Sequence, residues 1–152
     1  MNAIDLLDSQ HHEIEALFEK ILHAATREMK ERFLLRLADS LAIHASIEEH
    51  HLFPAARGKG VPESIEEHLA IRRVLGDLLD VEVEDDTFNA KMAALLETVE
   101  HHVQAEEKNL FPKVKAAFDG LELDALGEDM STEQAELEES GNPRETVLRG
   151  LA

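Results

Sequence analysis

The sequence predicts an all-α fold, and two observations support that prediction. Apolar residues recur at helical spacing along nearly all of the 152 residues, and no stretch keeps the apolar–polar alternation of a strand. The chain also repeats itself, because residues 44–54 and 102–112 share the pattern H-x-x-x-E-E-x-x-L-F-P. A single histidine precedes each copy, His11 by 33 positions and His68 by 34. We therefore expect two helix pairs of similar design that form a four-helix bundle.

The first helix pair occupies the N-terminal third of the chain. Its first helix is expected to begin after Asn2, a favourable N-cap, and its apolar stripe reaches Ile21. The second helix carries an apolar stripe from Phe33 to Leu52. Glycine and proline between residues 57 and 62 then predict a loop that ends this pair.

The second helix pair follows that loop. Its first helix has an apolar stripe from Ile65 to Leu78, and the acidic residues 80–86 predict the next connection. Its second helix carries a stripe from Phe88 to Leu110. The chain therefore supplies four helices of comparable length.

The ends of these helices and the C-terminal region are less regular. Pro54 and Pro112 are expected to end or kink the second and fourth helices, because proline lacks the N–H that the helical ladder needs. Leucines and a methionine between residues 121 and 130 predict one additional short helix. From Ser140 onward the pattern is that of a loosely held terminus.

Composition excludes several classes of function. The formal net charge is -18, from 33 acidic and 15 basic residues, and such a surface repels phosphate backbones, so we predict no nucleic-acid partner. The chain has no cysteine, which excludes disulfides, cysteine zinc sites and iron–sulfur clusters. No apolar run approaches the roughly 20 residues that span a bilayer, and the first residues lack a basic signal region. We therefore predict a cytoplasmic protein without a membrane partner.

Six polar residues interrupt the apolar stripes, and their spacing predicts a metal site. Positions i and i+4 share one face of a helix, so each repeated H-x-x-x-E presents an imidazole and a carboxylate inward. A lone histidine in an apolar stripe is more often a hydrogen-bonded core residue, but six such residues in register favour metal ligation. Carboxylates bridge adjacent ions, so two metals are expected rather than one. The predicted ligands are His11, His44, Glu48, His68, His102 and Glu106.

The other histidines lie away from the stripes. Four of them, His12, His23, His50 and His101, are expected to be solvated. His51 lies two turns beyond His44 on nearly the same face, and a position at the bundle end is favoured over a role in the site.

At these residues the sequence resembles the hemerythrin-like, or HHE cation-binding, domain family. The motifs that carry the resemblance are the two H-x-x-x-E pairs with their L-F-P extensions, and it covers about residues 3–118. It implies an antiparallel up-down-up-down bundle around two non-haem iron ions bridged by Glu48 and Glu106. We accordingly expect residues 1–118 to form the bundle and residues 119–152 a C-terminal helix and a flexible tail.

The sequence departs from the oxygen-carrying hemerythrins in two respects. Those proteins use a fifth histidine one turn from the third-helix ligand, where this chain has Ser64 and Arg72. Their last carboxylate is an aspartate five residues after its histidine, whereas here it is Glu106 at four, with Glu107 at five. Fewer protein ligands leave positions open to small molecules, which disfavours simple reversible oxygen carriage.

The resemblance and the ligand set lead to two functional hypotheses. The first is a di-iron protein that meets O2, peroxide or nitric oxide in handling or sensing oxidative or nitrosative stress, with a possible oxidoreductase activity toward peroxide or nitric oxide. In that hypothesis Arg72 stabilises a bound anion if its side chain turns toward the open side. The second is a non-catalytic module that stores or buffers iron or senses metal or oxygen, and whose apolar end TVLRGLA docks on a partner protein.

Two other metal-site classes fit the sequence less well. A ferritin-like site needs a Glu-x-x-His pair on two helices, and Glu48 with His51 supplies one, but Asn109 stands where Glu106 would need its histidine. A zinc hydrolase is disfavoured because no H-E-x-x-H motif occurs.

Overall fold

The computed structural model describes residues 1–58 and 60–145, which contain helices and no strand. The all-α prediction is confirmed. The helices, in chain order, are α1 (Ala3–Leu22), α2 (Arg27–Ile47), α3 (Phe53–Ala55), α4 (Val61–Leu79), α5 (Phe88–Ala105), α6 (Phe111–Ala117) and α7 (Gly120–Ser140). Two π-helical turns, π1 (Glu48–Leu52) and π2 (Glu106–Leu110), join α2 to α3 and α5 to α6.

These elements form the four-helix bundle that the repeat predicts. Consecutive helices α1 and α2 pack together, as do α4 and α5. The connections within each pair are short, so the paired helices run antiparallel. The predicted N-cap is present, since the Asn2 side chain accepts a hydrogen bond from the Asp5 N–H at 2.9 Å.

Two apolar clusters fill the bundle on either side of a polar layer. The first includes Phe18, Leu37, Leu75, Leu78, Phe88 and Leu95. The second includes Ile4, Leu7, Ile47, Leu52, Phe111 and Met130. Burial of these side chains from water supplies the main driving force for folding, and it places whatever lies between the clusters in a nearly dry environment. One predicted stripe residue lies elsewhere, because Ile65 is 43% exposed and its neighbour Ser64 is buried instead.

Pro54 and Pro112 were both predicted to end or kink a helix, and the structure shows different outcomes at the two prolines. The helix that contains Pro54 does end soon afterwards, at Ala55, whereas the helix that contains Pro112 continues to Ala117. In both cases the turn directly before the proline is widened to a π turn. A π turn accommodates the proline ring and its missing N–H without a break in the helical path.

The C-terminal helix is longer than predicted. It begins with a capping box between Asp119 and Glu122, has 21 residues and packs against α1, α2 and π1. Its apolar stripe is narrow, with Leu123 and Met130 buried, which explains why the periodicity alone predicted a shorter helix. Gly127 lies against the start of the chain, where an added Cβ would meet the Met1 carbonyl oxygen at 2.5 Å.

The described residues that follow α7, 141–145, contact the bundle. The Arg144 guanidinium pairs with the Asp39 carboxylate at 3.2 Å, and Pro143 is buried. The predicted flexible tail and its docking peptide lie mainly in residues 146–152, outside the described residues. Within the described part, no helix combines the length and the apolar character needed to cross a membrane.

Candidate metal centre

The six predicted ligands come together in the polar layer between the two apolar clusters. Each is at most 4% exposed, and they come from α1, α2, π1, α4, α5 and π2. Four of them, His44, Glu48, His102 and Glu106, offer ligand atoms that all lie within 4.8 Å of one another. His11 and His68 complete the group from its two sides. The buried cluster is compatible with metal binding.

Three histidines surround one carboxylate oxygen of Glu106. The distances to its Oε1 atom are 3.1 Å from His11 Nε2, 3.4 Å from His44 Nε2 and 3.2 Å from His102 Nε2. In each case the ring nitrogen that faces the carboxylate is Nε2. This carboxylate therefore collects donors from three different helices.

A second set of three histidines surrounds Glu48 in the same way. Its Oε1 atom lies 2.9 Å from His68 Nε2, 3.3 Å from His44 Nε2 and 3.4 Å from His102 Nε2. His44 and His102 thus belong to both sets, while His11 and His68 each belong to one. The centre has two similar halves, as the sequence repeat predicts.

The opposite ring nitrogen of every histidine in the centre has its own partner. The Nδ1 contacts are Glu107 with His11 at 3.1 Å, Glu49 with His68 at 2.8 Å, Glu67 with His102 at 2.8 Å and Gln10 with His44 at 2.8 Å. A partner at Nδ1 fixes the orientation of the ring and leaves Nε2 free to bind a cation. All four imidazoles are therefore oriented with Nε2 toward the centre, where this nitrogen can bind a cation.

The sequence prediction missed these outer partners, although the sequence carries a signal for them. Glu49 and Glu107 are the second residues of the repeated E-E pairs, and Gln10 and Glu67 directly precede the two single histidines. The same two positions therefore recur in both halves of the chain.

The π turns help to aim the paired carboxylates. Glu48 begins π1 and accepts the Phe53 N–H five residues later, and Glu106 begins π2 and accepts the Phe111 N–H. A wider turn rotates the following residue relative to an α-helix, and π turns often occur at functional sites. As a result Glu48 and Glu49 contact the two different nitrogens of His68.

Buried nitrogen and oxygen atoms that lack a hydrogen-bond partner indicate whether the cluster can bind a cation. Among the described residues, the buried side-chain atoms without hydrogen-bond geometry include four at the centre: His44 Nε2, Glu48 Oε2, His102 Nε2 and Glu106 Oε2. Leaving such atoms unsatisfied costs several kcal/mol in total, whereas a bound divalent cation would use them as ligands. The donor set and the unsatisfied atoms fit a metal.

The charges of the centre shift the pKa values of His44, His68 and His102 upward. Burial alone would lower the pKa of His44, but the carboxylates of Glu48 and Glu106 outweigh it and raise this pKa to about 9. Burial would also lower the pKa of His102, and contact with Glu106 and Glu48 raises it well above the ordinary value. When no cation is bound, His44 and His102 are therefore protonated at neutral pH.

The carboxylates shift in the opposite direction. Burial favours the neutral form of Glu48, yet the charge of His44 and its other polar neighbours keep the pKa of Glu48 well below its usual value. The pKa of Glu106 is also lowered, with His102 outweighing burial and the repulsion from Glu48. Both carboxylates are therefore ionised and available as metal ligands at neutral pH.

A small cavity opens beside the four histidines on the side of the first apolar cluster. Its volume is ≈ 20 Å³, which is room for about one water-sized molecule. Apolar side chains, among them Ile14, Leu75 and Val99, form its walls together with the imidazoles. Arg72 also lines it, and the structure places its guanidinium 2.7 Å from the Glu49 carboxylate.

The remaining histidines lie outside this centre. The four that were expected to be solvated, His12, His23, His50 and His101, are exposed. His51 is part-buried at the end of the bundle, where its Nε2 atom lies 3.3 Å from Glu133 of α7. A ferritin-like pair of Glu48 and His51 is therefore not formed.

Comparisons with known proteins agree with this architecture. The hemerythrin HHE cation-binding domain matches residues 2–114. A hemerythrin HHE cation-binding domain-containing protein from Mycobacterium kansasii has a similar crystal structure, with a TM-score of 0.86 and 25% identity over 99% of each chain. A protein described as a DNA nickase from Nostoc sp. is 24% identical over 119 residues, or 76% of this chain. The chain spans only 34% of that relative's length.

Proposed function

The chain belongs to the hemerythrin HHE cation-binding family, and from that premise we propose that it is a non-haem di-iron protein. Its proposed ligands are His11, His44, Glu48, His68, His102 and Glu106, with the two glutamates as bridges. The small molecules that it meets are O2, peroxide or nitric oxide, in handling or sensing oxidative or nitrosative stress.

The observation that supports this proposal is the convergence of four Nε2 atoms on two buried, ionised carboxylates. Imidazole and carboxylate together suit iron, manganese or zinc better than soft metals. The family and the two equivalent halves of the centre favour two irons. When bound, such a pair of irons would supply a two-electron change to a ligand with an O–O or N–O bond.

The protein's own residues give that centre a restricted, nearly dry approach. The apolar walls of the cavity exclude bulk water, and a volume of ≈ 20 Å³ limits entry to molecules of a few atoms. A protein that only stores iron has no need for such a chamber beside the metal, so the cavity favours a ligand-binding role over storage.

Arg72 is the proposed contact for an anionic ligand in this cavity. Its Nε atom is buried and has no hydrogen-bond partner among the described residues, while its Nη2 atom donates to the Glu49 carboxylate. Glu49 in turn contacts His68 Nδ1, so the guanidinium is fixed beside a ligand of the proposed centre. A hydroperoxide or azide ion would give the Nε–H an acceptor and place a second negative charge beside the arginine, in addition to that of Glu49.

The experiment that tests the proposed function is metal analysis of purified protein combined with visible spectroscopy. About two irons per chain, with a ferric absorption band that changes on addition of azide and of peroxide, would support it. Zinc, a single metal or none after anaerobic iron loading would overturn it. Two irons per chain with a spectrum that does not change on addition of azide, peroxide or nitric oxide would instead favour the alternative of a protein that stores or buffers iron.

The proposal also covers the cellular location of the protein and its macromolecular partners. We propose a cytoplasmic protein without a nucleic-acid partner, because the net charge of -18 opposes phosphate binding. The nickase description of the Nostoc relative applies to a protein more than twice as long, and its activity need not reside in the shared part.

A further inference from the structure

The C-terminal helix is connected to the centre by a chain of hydrogen bonds. His44 Nδ1 contacts Gln10 Oε1 at 2.8 Å, and Gln10 Nε2 donates to Gln134 Oε1 of α7 at 3.1 Å. Gln134 Nε2 then donates to Glu138 Oε1 at 3.0 Å. The chain therefore begins at a proposed metal ligand and ends at an exposed carboxylate outside the region 2–114 that matches the family.

Metal binding by His44 would fix the direction of every bond in this chain. If Nε2 binds the cation, Nδ1 carries the proton and must donate to the oxygen of Gln10. The amide of Gln10 then has its nitrogen toward Gln134, whose own nitrogen points to Glu138. Each donor in such an aligned chain strengthens the next one.

The internal repeat shows what is unusual about this arrangement. Gln10 and Glu67 are equivalent, since each precedes the single histidine of its half and contacts the paired histidine of the same half at 2.8 Å. Glu67 is a carboxylate, whereas Gln10 is an amide that is only 6% exposed. Burial of a carboxylate in contact with the oxygen of Gln134 would be costly, so an amide suits the half that α7 covers.

From this geometry we infer that α7 is part of the metal centre, with Gln134 as a positioning residue that acts on His44 through Gln10. This inference rests on the proposed role of His44 as a metal ligand. Without the Gln134 acceptor, the Gln10 amide loses one of the two contacts that orient it, and His44 loses its fixed ring position. The consequence is weaker binding of cations at His44, and partners of this kind typically alter metal affinity by about 10- to 100-fold.

The test compares three variants in the full-length protein. Gln134→Ala removes the acceptor. The double variant Gln134→Glu with Glu138→Gln restores it, because a carboxylate at 134 accepts from Gln10 and an amide at 138 donates to it. Glu136→Ala is the matched control, since this residue lies on the same helix and is exposed.

Two readouts separate positioning from a general structural effect. The first is the ¹⁵N spectrum of the His44 ring in metal-free protein, which reports the Nδ1 proton and its exchange. The second is titration with Co²⁺, whose visible bands report the affinity and symmetry of the site. Neither depends on iron being the native metal, so a failure of the proposed di-iron function is recognised separately.

We expect Gln134→Ala to broaden or shift the His44 ring signals and to weaken Co²⁺ binding by about 10-fold or more, with helix content unchanged. The double variant should recover both properties, and Glu136→Ala should match the parent protein. Unchanged His44 signals and Co²⁺ affinity in Gln134→Ala would overturn the inference, whatever happens to the melting temperature. Equal losses in Glu136→Ala would also overturn it.

Discussion

Both ring nitrogens of His68 contact consecutive glutamates of the other helix pair, with Nε2 at 2.9 Å from Glu48 and Nδ1 at 2.8 Å from Glu49. His11 is held in the same manner by Glu106 and Glu107, both distances being 3.1 Å. Both carboxylates that contact each single histidine therefore come from the opposite helix pair. A cation at this layer would bind the two halves of the bundle to one another.

This arrangement predicts that bound metal stabilises the whole fold. Free metal at about 1,000 times its Kd would add about 4 kcal/mol to the free energy of unfolding, because the unfolded chain lacks the site. For a chain of this size that corresponds to a rise in Tm of roughly 8–16 °C. Calorimetry of metal-free and metal-loaded protein measures it, and equal Tm values would contradict the arrangement.

The proposed bridging role of the glutamates predicts a loss of metal on substitution. Glu106→Gln removes the charge of a carboxylate that three histidines approach, so the metal content should fall by at least one ion per chain. Glu139→Gln, on the exposed part of α7, is the matched control and should retain full metal. Metal analysis after gel filtration measures both, and full occupancy in Glu106→Gln would exclude a bridging role.

The unpartnered Nε of Arg72 predicts a specific effect on anion binding. Arg72→Leu should keep both metals but weaken azide binding about 10-fold or more, because a charge-assisted hydrogen bond contributes about 1.5–3 kcal/mol. Arg73→Leu is a suitable control, since Arg73 is the exposed neighbour on α4. A spectroscopic azide titration measures the affinity, and equal values for Arg72→Leu and the parent would rule out this contact.

The raised histidine pKa values predict how the metal-free protein responds to pH. The pKa of His44 is about 9 in the folded protein and about 6.5 when unfolded, so folding is favoured by protonation. That contribution is complete below about pH 6.5 and is lost as the pH rises through about 9. The metal-free protein should therefore become less stable over this range.

Urea denaturation at pH 6, 7.5 and 9 checks this prediction. In metal-loaded protein the cation replaces the protons, so the same rise in pH should not weaken the fold in the same way. A metal-free protein that is more stable at pH 9 than at pH 6 would contradict the assigned direction of the shifts.

The close contact of α7 with the N-terminus predicts opposite effects of two glycine substitutions. A methyl group at Gly127 would lie 2.5 Å from the Met1 carbonyl oxygen and 2.8 Å from the Ala3 nitrogen, so Gly127→Ala should cost about 1–3 kcal/mol. Among the described residues, nothing lies within 4 Å of a Cβ added at Gly120, in the first turn of α7. Gly120→Ala should be neutral or stabilising by up to about 1 kcal/mol.

Chemical denaturation measures both glycine variants. Amide hydrogen exchange in α7 would show whether the loss of stability in Gly127→Ala arises from release of this helix. Similar free energies of unfolding for the two variants would show that α7 does not approach the N-terminus this closely.

Much of the fold was predictable because helical periodicity and an internal repeat are both properties of the sequence itself. The spacing of His44 with Glu48, and of His102 with Glu106, places each pair on one inward face whatever the rest of the chain does. The repeat then identifies His11 and His68 as equivalent residues. The six predicted ligands consequently lie together, and their role in binding metal stays a prediction.

Only the tertiary structure decided which side chains meet across helices. The contact of Gln10 with Gln134, that of Arg72 with Glu49, and the docking of Gly127 depend on how far neighbouring helices approach and rotate. Periodicity determines the inward face of a single helix, but it carries no information on the distance or angle between two helices. For that reason the ligands were evident from the sequence, while the pairing of each ligand with the group that orients it was not.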